Sequence, residues 1–431
     1  MRLGGRMAAS IEILTDIDTR HRPVGDALKD WGLSHRFAGS GDRAAIGNIV
    51  YDVLRRKRSL AWRLDDQSPR SLVFGAVLDA TQIDEKELAR AFEGDRFAPE
   101  MISEDDLAGY RTREIAQAPD AVRADVADWI APHLAEAFGE EWVEEAAGLG
   151  ERPPLDMRVN TLRADRDKVL KALEPFGPLP TAIAPAGIRI RPIEGNGRHP
   201  NVQVEAGFQK GWFEIQDEGS QIVAALTSAA PGEQVLDYCA GAGGKTLALA
   251  AAMENTGQIH AYDTDRQRLA PIHERLKRAE IRNVQVYSPR DDLAEQRGKM
   301  DLVLVDAPCT GTGTWRRRPD AKWRLSEKAL ERRVEEQRQA LAAAAEFVRP
   351  GGRLAYVTCS LLPAENEAQV AALLEARPEF ALQDAASVWQ SAFPDVPPAF
   401  RPSHSGEGTM LTLTPRMTGT DGFFLALMVR R

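Results

Sequence analysis

The sequence predicts an α/β protein in which a mainly parallel, doubly wound β-sheet follows an all-helical module and a small α+β insert. From residue 211 onward, strand-like apolar runs alternate with helical patterns of about 10 to 15 residues. The first 147 residues carry few strand signals. A chain of 431 residues also exceeds what one hydrophobic core usually supports. We therefore expect three domains, over residues 1–147, 148–210 and 211–431.

The helical module is predicted from apolar positions that recur at the spacing of one helix face, at Ile46, Ile49, Val50, Val53 and Leu54. Asp42 is expected to cap the start of that helix. Further helical patterns cover Leu72–Thr81, Glu85–Phe92 and Ala121–Phe138. Glycine and proline interrupt the helical period around residues 148–154, which places the first domain boundary there.

The insert combines short strand signals with one helical pattern. Leu155–Asn160 is typical of a strand and Arg163–Leu173 of a helix. β-type runs follow at Gly187–Ile190 and Val202–Val204. This mixture predicts a small α+β subdomain.

The third region contains five predicted strands, at Gln234–Tyr238, Gly257–Tyr262, Asn283–Tyr287, Asp301–Asp306 and Arg353–Thr358. In open parallel sheets, ligands bind outside the carboxyl ends of the strands. The three cysteines of the chain, Cys239, Cys309 and Cys359, all lie at such ends. Any one of them alone is consistent with a small buried side chain, but their shared placement indicates thiol chemistry beside a bound ligand.

Composition limits the possible classes of protein. Apolar residues make up 43% of the chain and charged residues 28%, and no apolar run reaches the roughly 18 residues of a membrane span. We expect a soluble, cytoplasmic monomer without a membrane contact, whose translation starts at Met1 or Met7. The seven histidines and three cysteines show no paired ligand spacing, so no metal is expected.

Charge bears on nucleic-acid binding. The net charge of −9 argues against a uniformly basic nucleic-acid binder. Basic residues nevertheless concentrate at Arg55–Arg58 and at Trp315–Arg324. The first cluster is equally consistent with a solvated face. In the second cluster, guanidinium groups alternate with two indoles, a composition suited to phosphate contact and base stacking.

A glycine-rich turn runs from Cys239 to Lys245, between a predicted strand and a predicted helix. Its spacing fits neither the Walker phosphate loop nor the GxGxxG dinucleotide turn. Asp263, 22 residues after Gly241, ends the next strand and is placed to accept hydrogen bonds from ribose hydroxyls, with Asp265 as the neighbouring alternative. The turn, the acid and the sheet pattern together predict a nucleoside cofactor.

Two further cysteine motifs suggest a reaction. Asp306–Cys309 follows the fourth strand and Thr358–Ser360 the fifth, so the sheet is expected to bring their sulfurs together. Carbon 5 of a pyrimidine must be activated by addition of a thiolate to carbon 6 before it can accept a methyl group. One thiol can attack, and a second can assist release. Asp306 is expected to bond the target base or the amine of the cofactor.

These motifs resemble the RsmB/Sun family of RNA cytosine-5 methyltransferases over nearly the whole chain. The stretches that carry the resemblance are Arg158–Thr161, Gln216–Gln221, Asp237–Thr246, Asp306–Gly313, Arg317–Trp323, Thr358–Ser360 with Pro363–Glu367, and Asp421–Phe424. The resemblance implies a class I methyltransferase fold, Cys359 as the nucleophile and Cys309 as the helper in product release. It implies contacts to S-adenosyl-L-methionine by Cys239, Ala240, Gly241, Ala242, Gly243, Gly244, Lys245, Asp263 and Asp306.

The resemblance also implies RNA contacts. The helical module resembles the NusB-like RNA-binding domain of the RsmB branch, and the insert resembles the RRM-like extension of the family. Ribosomal RNA of the small subunit is then the expected substrate. The RNA-binding side chains are expected to be Arg317, Arg318, Lys322 and Arg158.

The sequence departs from the family at two places. Ala242 stands where the family turn usually has proline, which removes no backbone donor. After the third strand the family shows a Gly-Asp pair, whereas this chain has Ser288–Asp292, so the acid that contacts adenosine is not identified.

Three alternative functions stay open. The chain could methylate cytosine in tRNA, or it could methylate DNA with Cys309 as the nucleophile. It could also be a catalytically silent RNA-binding assembly factor on the same fold.

Overall fold

The structure is a computed structural model that describes residues 1–193, 195, 197–406 and 408–431. The chain forms two compact units. The first unit comprises Met1–Arg152, Pro192–His199 and Trp315–Leu325, and the second comprises Pro153–Arg191, Pro200–Thr314 and Ser326–Arg431. This division differs from the three expected domains, because most of the insert groups with the second unit and an eleven-residue excursion from the third region groups with the first.

The first unit is helical, as predicted. Its first ten α-helices are α1 (Leu3–Arg20), α2 (Val24–Ser34), α3 (Ser40–Arg55), α4 (Lys57–Leu64), α5 (Pro69–Thr81), α6 (Glu85–Phe92), α7 (Glu104–Thr112), α8 (Asp120–Arg123), α9 (Ala131–Phe138) and α10 (Trp142–Gly148). The predicted apolar face of α3 is confirmed, since Ile46, Val50 and Val53 are fully buried in the core of this unit.

Two sequence expectations in this unit are wrong. Asp42 does not cap α3, because Gly39 occupies the N-cap position and Asp42 lies in the first turn, where it accepts hydrogen bonds from Arg6. The single helix predicted over Ala121–Phe138 is divided into α8 and α9. Asp125 adopts a positive φ of 51° between them, which ends the first helix.

The insert forms a four-stranded antiparallel sheet in the order β2-β3-β1-β4. Its strands are β1 (Leu155–Val159), β2 (Leu179–Pro180), β3 (Gly187–Ile190) and β4 (Phe213–Ile215), with helices α11 (Arg166–Ala172) and α12 (Ala206–Gln209). The expected β-type run at Val202–Val204 is instead a 3-10 turn. The remaining predicted elements of the insert are confirmed with small shifts of their ends.

The second unit contains a nine-stranded sheet. Its strands are β5 (Gln234–Asp237), β6 (Gln258–Tyr262), β7 (Val284–Tyr287), β8 (Met300–Asp306), β9 (Val348–Thr358), β10 (Phe380–Leu382), β11 (Arg401–Ser405), β12 (Gly408–Leu413) and β13 (Phe423–Arg430). The order is β11-β12-β13-β9-β8-β5-β6-β7, with β10 paired to β13. Strands β5 to β9 are mutually parallel and match the five predicted strands.

The remaining helices are α13 (Glu218–Leu226), α14 (Gly244–Ala252), α15 (Arg266–Leu269), α16 (Ile272–Ala279), α17 (Pro319–Arg324), α18 (Glu327–Ala345), α19 (Glu367–Ala376), α20 (Ala385–Ala392) and α21 (Pro415–Thr418). Among the described helices, none combines the length and the apolar composition that a membrane crossing requires.

The central strand β8 explains why the sheet is buried on both faces. Leu302 and Leu304 pack into one apolar cluster, whereas Val303 and Val305 pack into another, and all four are fully buried. Successive side chains of a strand point to opposite faces, so a continuous apolar run requires cover on both sides. The sheet reverses its winding between β5 and β8, and its carboxyl edge there is where such folds bind ligands.

Helix α17 lies in the excursion Trp315–Leu325 and packs against α3 within the first unit. The ammonium of Lys322 donates to the carbonyl of Arg55 at 3.0 Å. The indole N–H of Trp323 donates to the carbonyl of Leu54 at 2.6 Å. These bonds use the two carbonyls at the end of α3, which have no partner within that helix.

Candidate functional site

The loops after β8 and β9 bring two of the three cysteines together. The sulfurs of Cys309 and Cys359 lie 3.3 Å apart. The parallel pairing of Asp306 with Val357 sets this proximity, because Cys309 follows Asp306 by three residues and Cys359 follows Val357 by two. The sequence expectation that neighbouring strand ends would place the two sulfurs side by side is therefore met by the geometry.

A buried carboxylate, Glu365, connects the two cysteine loops. It accepts the backbone N–H of Thr310 at 2.8 Å and also the hydroxyl groups of Thr310 and Ser360. Gln337 donates a further bond to it at 2.9 Å from α18. A fully buried carboxylate is costly unless it is hydrogen-bonded, and here the four bonds stabilise it. Glu365 thereby fixes the residue after each cysteine.

Backbone contacts brace the same loops. Gly313 N–H donates to the carbonyl of Cys359 at 3.0 Å, and Gly422 N–H donates to the carbonyl of Gly313 at 2.8 Å. A Cβ atom on Gly313 would lie 2.3 Å from the carbonyl oxygen of Gly422, so only glycine permits this approach. The two sulfurs are therefore held by a rigid backbone.

The protonation of Cys309 follows from this surrounding. The hydrogen bond with the Cys359 sulfur, burial and the nearby Glu365 carboxylate raise the pKa of the Cys309 thiol well above its usual value. At neutral pH the Cys309 sulfur therefore keeps its proton.

The glycine-rich turn connects β5 to α14, as predicted. Gly241 and Gly243 both adopt positive φ, at 49° and 81°. The backbone N–H of Gly241 donates to Asp263 at 2.9 Å, which brings the acid after β6 against the turn. Beneath the turn, the hydroxyl of Thr246 donates to Asp237 at 2.7 Å, and burial raises the pKa of Asp237 to about 7.

An ion pair joins the turn to the first cysteine loop. The ammonium of Lys245 lies 2.7 Å from a carboxylate oxygen of Asp306. Lys245 is buried, whereas the Asp306 side chain is about one-third exposed. The third cysteine, Cys239, lies in the same turn. Desolvation, together with the carboxylates of Asp263, Asp237 and Asp306, raises the pKa of the Cys239 thiol.

A cleft of about 650 Å³ adjoins this edge of the sheet and is lined in part by Arg266, His273, Ser288 and Asp291. Asp291 accepts the backbone N–H of Ser288 at 2.6 Å, and Asp292 accepts that of Ala294 at 2.8 Å. Of these two acids, only Asp291 lines the cleft. Asp265, which the sequence offered as the alternative to Asp263 for the ribose hydroxyls, caps α15 through the backbone N–H groups of Gln267 and Arg268.

The four residues expected to bind RNA differ in burial and are divided between the two units. Arg318 is exposed and Arg317 is half-buried, both in the first unit. Lys322 is buried, and that burial lowers its pKa to about 8. Arg158 is also buried, where it donates to Gln216 at 2.6 Å, and its pKa is lowered to about 10. Burial argues against direct phosphate contacts by Lys322 and Arg158.

Sequence reasoning did not assign a role to Glu365, although its motif contributed to the family resemblance. From the sequence alone, an acidic residue two positions after Pro363 cannot be distinguished from an exposed acid in the first turn of a helix. Its structural role depends on the hydrogen bond from Thr310, which is 55 residues away along the chain.

Comparison with known proteins supplies the family. A family model described as 16S rRNA methyltransferase RsmB/F matches residues 224–429, and one described as the RsmF/B-like ferredoxin-like domain matches residues 126–192. A ribosomal RNA small subunit methyltransferase B of Sodalis glossinidius is 34% identical over 75% of this chain and 71% of its own length. A probable methyltransferase of the same name from Synechocystis is 33% identical over 69% of this chain, and the match spans 65% of that relative.

A solved structure shares the fold. NSun6 from Pyrococcus horikoshii, crystallised with SFG, an analogue of S-adenosylmethionine, superposes with a TM-score of 0.57. The superposition covers 70% of this chain and 98% of that one, at 22% sequence identity.

Proposed function

Because this chain belongs to the RsmB/F family of RNA methyltransferases, we propose that it transfers a methyl group from S-adenosylmethionine to carbon 5 of a cytosine in small-subunit ribosomal RNA. The observation that carries this proposal is the 3.3 Å separation of the Cys309 and Cys359 sulfurs beside the glycine-rich turn. Two adjacent thiols suit a reaction that needs one sulfur to attack the base and a second to assist its release.

The residues around the turn fit the cofactor. Near the missing Cβ of Gly241 the nearest atoms are the Arg268 guanidinium, 3.6 Å away, and the Asp263 carboxylate, 3.9 Å away, which leaves bare backbone for a ligand to approach. We assign Asp263 to the ribose hydroxyls, since carboxylate oxygens accept such donors. Asp306, held by Lys245, supplies a second acceptor for an amine. S-adenosylmethionine, when bound, supplies the methyl group as an electrophile.

We assign the attack to Cys359. Its thiolate forms a bond with carbon 6 of the cytosine, and the electron pair of the 5,6 double bond shifts to carbon 5, which becomes the nucleophile for the methyl group. Release then requires transfer of the proton on carbon 5 to a solvent water, while the Cys309 thiol can protonate the departing Cys359 sulfur. The electrons of that C–H bond restore the double bond and expel the Cys359 thiolate.

The raised pKa of Cys309 suits a separate role in this release. A sulfur that keeps its proton at neutral pH is a poor attacking group but can supply or exchange a proton beside the departing Cys359 sulfur. The bonds of Glu365 to Thr310 and Ser360 connect the residues that follow the two cysteines, which supports this division of roles.

Two variants test the assignment. We expect Cys359→Ala to abolish methyl transfer, and Cys309→Ala to permit attack but trap a protein–RNA adduct that survives denaturation. The adduct is detected as a slower band in denaturing electrophoresis with labelled RNA. If the adduct forms without Cys359 and requires Cys309, the roles are reversed and the DNA-type mechanism is favoured.

The RNA and its position are tested separately. Bisulfite sequencing of cellular RNA from cells with and without the gene identifies each 5-methylcytosine that depends on it. We expect one or more such positions in small-subunit ribosomal RNA. Loss of signal only in tRNA would instead support the tRNA alternative.

We propose that the arginines of this segment contact the phosphate backbone of the RNA. Arg318 is exposed in a segment of the required charge, with the half-buried Arg317 beside it. We expect Arg318→Ala to weaken RNA binding and to reduce its dependence on salt, because one fewer counterion is displaced. If the variant and the wild type bind RNA with equal affinity at every salt concentration, Arg318 does not contact the RNA.

A further inference from the structure

We propose that the helical unit carries a second RNA site, a cleft that takes one unstacked nucleobase between the indoles of Trp62 and Trp323. This proposal rests on RNA being the substrate, but not on the covalent mechanism. The cleft encloses about 550 Å³ and lies wholly within the first unit. That volume falls in the range of small-molecule sites and is suited to a single nucleotide, not to a duplex.

The two basic and aromatic clusters noted in the sequence meet at this cleft. Lys57 and Arg58 come from the first cluster and Trp323 from the second, more than 260 residues later. Trp62 lies one helical turn beyond Arg58 on α4 and completes the lining. Segments that are distant in the chain therefore supply basic and aromatic groups to one cavity.

Two aromatic side chains line the cleft. Trp323 is fixed by its N–H bond to the Leu54 carbonyl, and the Lys322 ammonium lies 4.8 Å from its ring centroid. The backbone carbonyl of Trp62 accepts a bond from Arg113 at 2.8 Å, which anchors α4. Among the described residues, none hydrogen-bonds to the indole of Trp62. Both indoles are half-buried, so each presents ring surface to the cleft.

The charges favour a base over a phosphate. Lys57 is paired with Asp18 at 2.8 Å and Arg58 with Asp128 at 2.6 Å, so the cations that line the cleft are largely neutralised. Asp66, which accepts bonds from Ser68 and Ser71, lines the same cleft as a carboxylate with a lowered pKa. A bare phosphate is repelled by such a carboxylate, whereas the amino group of a base can donate to it.

The amino-terminal turn of α4 is held rigidly. The buried carboxylate of Asp125 accepts the backbone N–H groups of Arg58 and Ser59, at 2.8 and 2.9 Å, and the hydroxyl of Ser59 at 2.6 Å. These bonds satisfy donors of the first helical turn. The first turn of the helix that carries Trp62 is therefore fixed before RNA arrives, which lowers the entropy cost of binding.

The test compares two probes on the full-length protein without methyl donor. One is a short fluorescein-labelled single-stranded RNA, and the other is an abasic ribose–phosphate oligomer of the same length. We expect Trp62→Ala to weaken binding of the RNA about tenfold, with the dependence on salt unchanged, and to leave binding of the abasic oligomer as in the wild type. Trp62→Phe should restore most of the lost affinity.

Trp142→Ala is the matched control, because Trp142 is a half-buried indole of the same unit that does not line the cleft. It should bind both probes as the wild type does. If Trp62→Ala does not fold, ultraviolet cross-linking of wild-type protein to the RNA, followed by peptide mapping, gives the answer. Adducts on the Trp62 or Trp323 peptides support the site, and adducts confined to other peptides overturn it.

An equal loss of affinity for both probes would also overturn the proposal, since that result indicates a backbone contact. Failure of wild-type methyl transfer with an intact difference between the probes would refute the proposed function alone. Because binding is measured without methyl donor, the two failures are distinguishable.

Discussion

The turn that holds Cys239 and the loops that hold Cys309 and Cys359 occupy equivalent places after parallel strands, but the three thiols have different neighbours. Each cysteine follows a parallel strand at the carboxyl edge of one sheet. Cys239 is surrounded by three carboxylates, whereas Cys309 and Cys359 face each other at 3.3 Å. Position in the fold therefore makes a thiol a candidate, and its neighbours determine whether it can react.

Among changes to the surroundings of the cysteines, the largest expected effect comes from removing the Glu365 carboxylate, which connects the Cys309 and Cys359 loops. Glu365→Gln replaces the carboxylate, whose two oxygens accept hydrogen bonds from Thr310 and Ser360, with a neutral amide. A displacement of a reacting group by about 1 Å can reduce turnover about 100-fold, so we expect a loss of that size in kcat.

Single-turnover methylation with saturating RNA measures this loss. Glu335→Gln, on the exposed part of α18, is the control and should behave as the wild type. A Glu365→Gln enzyme with wild-type turnover would mean that the two loops do not need this connection.

The next effect concerns the stiffness of the Cys239 turn. A Cβ atom on Gly243 would lie 2.5 Å from Ile272, whereas one on Gly241 would meet no atom closer than 3.6 Å. Both glycines have positive φ and share the cost of about 1 kcal/mol for an L-residue in that conformation. We expect Gly243→Ala to lower the free energy of unfolding by about 2 kcal/mol more than Gly241→Ala.

Denaturant unfolding of the two variants gives this difference directly. If Gly241→Ala were the more destabilising of the two, the packing of the turn against Ile272 would not be the dominant constraint.

A smaller effect is expected at the ion pair that joins the two regions. Lys245→Met leaves the Asp306 carboxylate without its partner at 2.7 Å. We expect the affinity for S-adenosylmethionine to fall about tenfold, equivalent to about 1.4 kcal/mol. Isothermal titration with the cofactor alone measures the change. An unaltered Kd would show that the ion pair does not contribute to the affinity for the cofactor.

The smallest effect concerns reactivity towards alkylating agents. Because the pKa of Cys239 is raised, less of its thiol is ionised at any given pH than in an unperturbed cysteine, and its alkylation is slower throughout. We expect Cys239 to remain largely unmodified by iodoacetamide at pH 8 in the native protein, and to react at the ordinary rate after unfolding. Peptide mapping after a timed reaction measures both rates.

The sequence was sufficient to predict the five parallel strands and the edge of the sheet at which the candidate site lies, but not the strands β10 to β13. The five parallel strands were found because each is a continuous apolar run buried on both faces, as Val303 and Leu304 illustrate. The pairing of Cys309 with Cys359 was foreseeable for a related reason, since neighbouring parallel strands end at one edge. The assignment of the chain to its family also follows from local motifs.

Other features depend on contacts that no local pattern encodes. The break at Asp125 interrupts a helical pattern because its carboxylate bonds to the start of α4. Lys322 has the composition of a surface cation, yet the carbonyl of Arg55 holds it inside the helical unit. Glu365 likewise gains its role from Thr310. In each case the partner lies 50 or more residues away along the chain.

The excursion Trp315–Leu325 has a consequence for synthesis and for truncation. During translation the amino-terminal helices emerge first, but the carbonyls at the end of α3 obtain their Lys322 and Trp323 donors only after more than 260 further residues are made. The nascent helical unit is therefore incomplete until the ribosome has passed Leu325. A fragment that begins at residue 211 would leave the Trp323 indole without the apolar core and the Leu54 carbonyl that it contacts in the intact chain.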